Sequence, residues 1–114
     1  MSLSKGALGE QLAKTFLLER GYTFVQANYS TRFGEIDLIM IKDDELIFVE
    51  VKTRSIRNTV SGTFDIPEQK LEKIESAALA YLDLQDECDW RVELVEVELL
   101  ANGLAKIRLS PYES

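Results

Sequence analysis

Two short motifs place acidic and basic side chains on neighbouring segments of the chain. Residues 34–37 read Gly-Glu-Ile-Asp, and residues 48–54 read Phe-Val-Glu-Val-Lys-Thr-Arg. Apolar and β-branched residues surround both motifs, and only residues 42–45 separate the two segments, which predicts a β-hairpin. A hairpin centred on Asp43 and Asp44 pairs Ile41 with Leu46, Ile39 with Phe48, Asp37 with Glu50 and Glu35 with Lys52, all on one face.

The predicted pairing of Asp37 with Glu50 needs a physical explanation. Like charges that are directly opposed on a sheet have Cβ atoms about 4.5–5.5 Å apart and destabilise it. A hard cation such as Mg²⁺ is bound by one or two carboxylates together with waters and phosphate, so it would turn this repulsion into a binding site. Lys52 follows on the same face, within reach of an attacking water or a phosphate. The alternative is a salt-bridged face on which Lys52 neutralises Glu50 and Glu35.

The composition narrows the chemistry that is available. The chain has no histidine and one cysteine, Cys88, which excludes Ser-His-Asp and Cys-His catalysis, imidazole or thiolate zinc sites and an internal disulfide. Carboxylates, lysine and a hard metal ion remain. The length of 114 residues suits a single domain over residues 1–114. With no leader pattern and no long apolar run, we expect a cytoplasmic protein that does not enter a membrane.

The charge is distributed unevenly. A net charge of −7 opposes a generic nucleic-acid-binding protein, which usually carries a basic stripe. Residues 83–98, however, contain seven acidic residues and one arginine, so the rest of the chain is nearly neutral. The bases that cluster in sequence with the second motif are Lys52, Arg54, Arg57, Lys70 and Lys73. Arg32 lies in a predicted loop, from which it could reach a phosphate or stay solvated.

A first amphipathic helix is predicted at the beginning of the chain. It starts after Ser4 as N-cap, runs to about Arg20 and stops at Gly21. Its apolar stripe consists of Leu8, Leu12, Phe16 and Leu17. Glu10 falls about 20° from Leu17 on the helix, so it lies at the edge of the stripe and could face either a cleft or solvent.

A second amphipathic helix is predicted after a polar, mobile loop at residues 55–63. Asp65 and Glu68 fit a capping box that opens this helix. Its stripe consists of Leu71, Ile74, Ala78, Tyr81 and Leu82. Lys70 lies about 40° from Ile74 and borders the stripe, where its stem could simply snorkel, whereas Lys73 is expected to be more exposed.

The remaining segments predict strands. Residues 22–29 form a first strand, residues 30–34 a loop, and residues 90–99 and 104–109 a second hairpin whose turn has Gly103 in a left-handed conformation. Glu93, Glu96 and Glu98 are expected on a solvated face of this hairpin. The order of helix, three strands, helix and two strands predicts an α/β fold with a central mixed β-sheet flanked by α-helices.

Taken together, the motifs resemble a known family. Gly9-Glu10 in the first helix, the motifs at 34–37 and 48–54, and Lys70 at the start of the second helix resemble the YraN-like family of uncharacterised bacterial proteins. That family looks like the restriction-endonuclease superfamily with its PD-(D/E)xK motif and is similar to archaeal Holliday-junction resolvases. The resemblance covers residues 4–82 and implies a restriction-endonuclease-like domain.

The resemblance also implies roles for individual residues. Asp37 and Glu50 would ligate Mg²⁺ or Mn²⁺, Glu10 would assist the metal site, and Lys52 would serve the attacking water and the phosphate. The candidate nucleic-acid contacts are Arg32, Arg54, Arg57 and Lys70. These roles lead us to expect a metal-dependent nuclease that hydrolyses DNA phosphodiester bonds, on branched or processed DNA.

Two other functions fit the sequence. One is a non-catalytic nucleic-acid or protein-binding module that keeps the nuclease fold, and the other is a structural domain with a salt-bridged sheet face. Symmetric cleavage of two strands would require a two-fold homodimer. Tyr22, Tyr29 and Trp90 are the candidate interface residues.

Overall fold

The chain folds as one five-stranded sheet with a helix on each face. A computed structural model describes residues 3–56 and 68–113. The elements are α1 (Lys5–Glu19), β1 (Thr23–Thr31), β2 (Gly34–Lys42), β3 (Glu45–Ile56), α2 (Glu68–Leu82), β4 (Trp90–Leu100) and β5 (Ala105–Pro111). The strands lie in chain order, and β3 and β4 run parallel while the other neighbours are antiparallel. The predicted α/β class with a mixed sheet is confirmed, and it is compatible with a restriction-endonuclease-like fold.

The sheet has an apolar core on each side. Ile47, Val49 and Val51 of β3 point towards α1, whereas Leu46 and Phe48 point towards α2. Because a helix covers each face, the middle of β3 is apolar on both sides, as is usual for covered strands. Neither described helix has the length and apolar character needed to cross a bilayer.

Helix α1 begins as predicted, and its predicted apolar stripe is confirmed in part. The Ser4 hydroxyl accepts a hydrogen bond from the backbone N–H of Ala7 at 3.1 Å, which confirms the N-cap. Leu17 of the stripe is buried as predicted, but Gly9 and Ala13 are the other buried residues, while Leu8, Leu12 and Phe16 are only partly buried. The helix approaches β3 so closely at Gly9 that a methyl group there would overlap the Thr53 side chain.

The β2–β3 hairpin is centred on Asp43 and Asp44, as predicted. Both residues have positive φ angles, 51° and 63°, which fits a primed hairpin turn. The predicted pairs of Ile41 with Leu46 and of Ile39 with Phe48 are confirmed. The ladder then ends at Leu38 and Val49.

The predicted pairs of Asp37 with Glu50 and of Glu35 with Lys52 are wrong, because β2 and β3 separate at Asp37. The Asp37 carboxylate accepts a hydrogen bond from the backbone N–H of Val51 at 2.8 Å, where a ladder bond would otherwise form. Beyond this point Gly34 and Glu35 pair with β1, and β3 pairs with β4 through Ile56. The sheet therefore forks between β2 and β3.

Connections around the fork also differ from expectation. The predicted loop at 30–34 is reduced to Arg32 and Phe33, because Thr31 Oγ1 accepts hydrogen bonds from the backbone N–H groups of Phe33 and Gly34 at 3.0 and 3.2 Å. Strand β3 continues through Ile56, into the first two residues of the loop predicted at 55–63. The rest of the predicted loop at 55–63, and the capping residue Asp65, lie outside the described residues.

The second hairpin follows its predicted register, but its acidic residues do not form a solvated face. Val95 pairs with Leu109, and Gly103 has a φ of 84°. Glu93 and Glu96 are only 7% and 6% exposed because β4 lies between β3 and β5. The Tyr22 hydroxyl donates to Glu93 at 2.6 Å, and Glu96 is paired with an arginine of β5, so both carboxylates have partners despite their burial.

The three aromatic residues suggested for a dimer interface take part in the core. Tyr22 is 7% exposed, so its predicted interface role is wrong. Tyr29 and Trp90 are half-buried and make edge-to-face contacts with Tyr81 and Phe48, respectively. An interface role for these two stays a prediction.

The close approach of α1 to β3 generates a first prediction. Gly9→Ala should lower the free energy of unfolding by about 1–3 kcal/mol, since the added methyl group overpacks the contact with Thr53. Gly6→Ala is the matched control, because a methyl group there meets open space. It should be neutral or stabilise the protein by up to about 1 kcal/mol. Urea unfolding at pH 7 measures both, and equal stabilities of the two variants would contradict the packing.

The hydrogen bond between Tyr22 and Glu93 generates a second prediction. Tyr22→Phe should cost about 1.5–3 kcal/mol of unfolding free energy at neutral pH, because it removes a hydrogen bond to a buried carboxylate. Burial and the bond to Glu93 raise the pKa of Tyr22 from 10.0 to about 12. Its contribution is therefore intact below the unfolded pKa and is lost as the pH rises towards the folded one. Urea unfolding from pH 7 to pH 12 should show the two proteins converging at the alkaline end.

Candidate functional site

The fork between β2 and β3 opens into a cavity of about 310 Å³ beneath the first turns of α1. Asp37 and Lys52 line it from the two separating strands, and Glu10 lines it from the helix. The remaining lining residues are Lys5, Gly6, Asn28, Glu35, Val51 and Thr53. Three of the residues predicted to carry chemistry are thus brought to one cavity.

Asp37 connects the two strands of the fork and interacts with two other acidic residues of the site. Its hydrogen bond from the N–H of Val51 fixes the carboxylate between the two strands. From there it acts on two other acids, because its charge raises the pKa of both Glu10 and Glu50. The predicted ladder pair of Asp37 and Glu50 is wrong, but the Asp37 side chain still reaches the strand of Glu50, where it bonds to the next residue, Val51.

Glu50 is buried beside Asp37 and is not among the residues that line the cavity. It is 5% exposed, and burial followed by repulsion from Asp37 raises its pKa to about 8, against the opposing charges of Lys70 and Lys52. Its Oε1 atom lies 3.6 Å from Lys70 Nζ. Its Oε2 atom is buried and has no hydrogen-bond partner among the residues that the structure describes.

Glu10 occupies the intermediate position that its helical angle predicts. It is half-buried, and its pKa is raised by burial and then by the charges of Asp37 and Glu35. Glu35, which the motif reasoning treated only as a neighbour of Lys52, therefore adds a further negative charge to the same cavity. Three acidic and two lysine side chains thus line the cavity, which leaves it a small net negative charge.

The donor set suits a cation that keeps much of its water. Residues 3–56 and 68–113 contain no group of three or more acidic, cysteine or histidine side chains that could together bind a metal ion. Mg²⁺ needs fewer protein ligands, since it usually binds one or two carboxylates and retains several waters. The fixed carboxylate of Asp37 and the unsatisfied oxygen of Glu50 fit that requirement.

The predicted nucleic-acid contacts are placed unequally. Lys70 borders the core as predicted, but it is paired with Glu50. Arg54 is half-buried and paired with Glu98 at 3.3 Å. Arg32 is exposed at the β1–β2 turn, where its guanidinium lies 4.9 Å from the ring centre of Phe33. Arg57 lies outside the described residues.

A larger cavity, of about 770 Å³, lies beside the β2–β3 turn and is strongly acidic. Its lining includes Asp44, Glu45, Asp83, Asp86 and Glu87. Such a concentration of like charge repels phosphate, so this cavity is unsuited to nucleic acid despite its size. Residues 83–98 thus place part of their acidity away from the fork.

Sequence reasoning missed one residue of the fork cavity that carries an unusual backbone. Asn28 lies where the ladder between β1 and β2 skips a pair, and its φ is 52°. Non-glycine residues rarely adopt this conformation, and they are concentrated at functional sites. Asn in a strand-like segment was the available signal, since it is depleted in strands and tolerates positive φ.

Comparisons with known proteins identify a family. The family model described as uncharacterised protein family UPF0102 matches residues 9–97. A UPF0102 protein of Alkaliphilus oremlandii is 38% identical over 109 residues, covering 88% of this chain and 89% of that protein. A second, from Legionella pneumophila, is 36% identical over 111 residues, covering 95% and 94%.

A third UPF0102 protein, from Psychromonas ingrahamii, is 41% identical over 99 residues, covering 85% of this chain and 80% of that protein. The relatives are therefore similar along nearly their whole length and not only at the motifs. The expectation of an uncharacterised bacterial family is confirmed. The chain belongs to the uncharacterised protein family UPF0102.

Proposed function

We propose that this protein is a Mg²⁺- or Mn²⁺-dependent nuclease that hydrolyses DNA phosphodiester bonds. The observation that carries the proposal is the pair of neighbouring carboxylates, Asp37 and Glu50, at the fork of the sheet with Lys52 beside them. An acidic pair of this kind is costly in a covered sheet unless a cation offsets it. The membership in UPF0102 names no activity, so the proposal rests on this geometry and on the resemblance of the motifs.

The carboxylates have distinct tasks in this proposal. Asp37 and Glu50 would hold the cation, with Glu10 contributing from α1. A bound divalent cation would lower the pKa of water and neutralise charge that develops on the phosphate. Asp37 is preorganised for its task because the N–H of Val51 already fixes one of its oxygens.

Lys52 supplies the positive side chain of the site. It lines the cavity together with Asp37, and its charge stabilises the ionised form of Glu50. In the proposed reaction, Lys52 Nζ donates hydrogen bonds to the attacking water or to a non-bridging oxygen of the phosphate. This orients the nucleophile and offsets charge in the transition state.

The DNA is proposed to approach the fork and not the acidic cavity beside the β2–β3 turn. Lys5 lines the fork cavity, and Lys70 and Arg54 lie on elements next to it. Branched or processed DNA, a cytoplasmic location and a homodimer remain parts of the proposal. The relationship to restriction endonucleases and to archaeal Holliday-junction resolvases stays a prediction.

A binding module without turnover is the alternative function. The observation that favours it is the absence, among the described residues, of a cluster of three or more metal-ligating side chains. Lys70 also offsets part of the negative charge at Glu50 without any metal. This alternative predicts that DNA or a protein partner binds but is not cleaved with any divalent cation.

The proposed metal site generates a third prediction. In EDTA, Asp37→Asn should melt at the same temperature as the wild-type protein or higher, because it removes a charge that opposes ionisation of the buried Glu50, while its amide oxygen can still accept from Val51. Mg²⁺ should raise the melting temperature of the wild-type protein but not that of the variant, since a ligand stabilises the state that binds it. Thermal unfolding with and without Mg²⁺ measures both effects.

Asp83→Asn is the control for this prediction, since it removes an acidic charge at the other cavity. It should keep the full Mg²⁺ response. A Mg²⁺ response that survives in Asp37→Asn would exclude Asp37 as a ligand.

The proposed chemistry generates a fourth prediction. The wild-type protein should cleave one or more labelled DNAs from a panel of single-stranded, duplex, flap and four-way-junction substrates in Mg²⁺ or Mn²⁺. Lys52→Ala should lower the single-turnover cleavage rate by about 10²–10³-fold, the range lost when one donor that stabilises the transition state is removed. Lys106→Ala, an exposed lysine on β5, should cleave as the wild type does.

The same panel separates the two candidate functions. Mg²⁺ binding and DNA binding without cleavage by the wild-type protein would replace the nuclease by the binding module. Equal cleavage by Lys52→Ala would remove Lys52 from the chemistry.

A further inference from the structure

Two buried polar atoms on the α2 side of the sheet have no hydrogen-bond partner among residues 3–56 and 68–113. One is the acceptor Glu50 Oε2, and the other is the hydroxyl oxygen of Tyr112, which can donate. Burying a polar group without a partner is unfavourable, so nearly all such groups in folded proteins are satisfied by protein or by ordered water. One ordered water can satisfy both an unpaired donor and an unpaired acceptor when the two lie in the same region.

Tyr112 is held in this region by contacts of its backbone and ring. It follows β5, and its backbone N–H donates to the carbonyl of Val92 at 3.0 Å. Its ring packs on the core beneath α2 and lies near Leu71 and Trp90. Leu71 is adjacent to Lys70, whose Nζ faces the other oxygen of Glu50. Val92 is two residues before Leu94, the β4 partner of Glu50, so Tyr112 lies across β4 from the Glu50 region on the face that α2 covers.

An electrostatic interaction also links the side chains of Tyr112 and Glu50. Burial raises the pKa of Tyr112, and the charge of Glu50 raises it further. The two groups consequently share one poorly solvated space. Tyr112 also lies beyond residues 9–97, the part of the chain that the family model matches, so no motif of the family singles it out.

We propose that Tyr112 is a positioning residue for Glu50 that acts through one buried water: the Tyr112 hydroxyl donates to the water, and the water donates to Glu50 Oε2. Lys70 and Tyr112 then hold the two oxygens of Glu50 from opposite ends of the carboxylate. A carboxylate oxygen has two lone pairs, so this bond leaves room for a cation. The importance of Tyr112 for metal binding rests on the proposed function, whereas its bond to Glu50 does not.

The bond can be tested without metal by a double-mutant cycle. Tyr112→Phe removes only the hydroxyl and should lower the melting temperature by about 4 °C in EDTA, the shift expected for one hydrogen bond in a domain of this size. In a Glu50→Leu background, which has no acceptor, the same change should shift it by less than about 1 °C. Tyr29→Phe, in the same core, is the control and should not couple to Glu50.

The direction of the melting-temperature shift in Tyr112→Phe distinguishes a bonded hydroxyl from an unpaired one. A hydroxyl that truly lacks a partner would be costly, so Tyr112→Phe would then raise the melting temperature and overturn the proposal. An equal shift in both backgrounds would overturn it as well, because it would show a structural role unrelated to Glu50.

Mg²⁺ titration calorimetry tests the consequence for the site. Tyr112→Phe should weaken Mg²⁺ binding by about 10-fold, within the range seen when a partner of a metal ligand is removed. Unchanged affinity in this variant would overturn the positioning role. A wild-type protein that binds no Mg²⁺ would instead contradict the proposed function, while the metal-free cycle would still decide whether the bond to Glu50 exists.

Discussion

The repulsion between Asp37 and Glu50 is the constraint on which the candidate site depends. Glu50 is 5% exposed, whereas Asp37 beside it is half-buried and lines the fork cavity, so water solvates only one of the two acids. The fold limits the cost locally: the N–H of Val51 holds one acid, and Lys70 faces the other. The contact with Val51 also explains why the sheet forks, since the Asp37 side chain accepts from a backbone N–H that a regular ladder would use.

The distribution of charge in space differs from its distribution along the sequence. Residues 83–98 form an acidic run, yet Glu93 and Glu96 turn inward and each is paired with an arginine. Asp83, Asp86 and Glu87 gather around a separate cavity. The net charge of −7 therefore says little about the potential at the fork, where lysines from β3 and α1 accompany the acids. An acidic protein can in this way present a locally mixed surface to a phosphate.

The sequence predicts best what depends on local chemistry. The order of elements and the hairpin register follow from alternating apolar residues and from a turn centre, Asp43-Asp44, that tolerates positive φ. The pairing of residues beyond Leu38 fails, because it assumes that a regular ladder continues. In the structure, the Asp37 carboxylate instead accepts a hydrogen bond from the backbone of Val51 on the next strand.

Other errors arise where the deciding partner is distant in sequence. Hydrophobicity cannot reveal that α1 turns Gly9 to the core, because the reason is the close approach of Thr53. The sequence around Glu93 indicates a solvated side chain, because its hydrogen-bond partner Tyr22 is far away along the chain. Tyr112 carries no motif at all, and only the burial of its hydroxyl next to Glu50 gives it meaning.

The parallel pairing of β3 with β4 bears on how the chain reaches this arrangement. Strands β1, β2 and β3 form a meander of sequence neighbours, whereas Leu46 pairs with Trp90, 44 positions further along. Contacts between distant residues cost more loop-closure entropy and slow folding. We therefore expect the meander to form early, with Asp37 and Glu50 still solvated and their repulsion weak. Glu50 is buried only when β4 and α2 cover β3, so the late step of folding carries the electrostatic cost of the site.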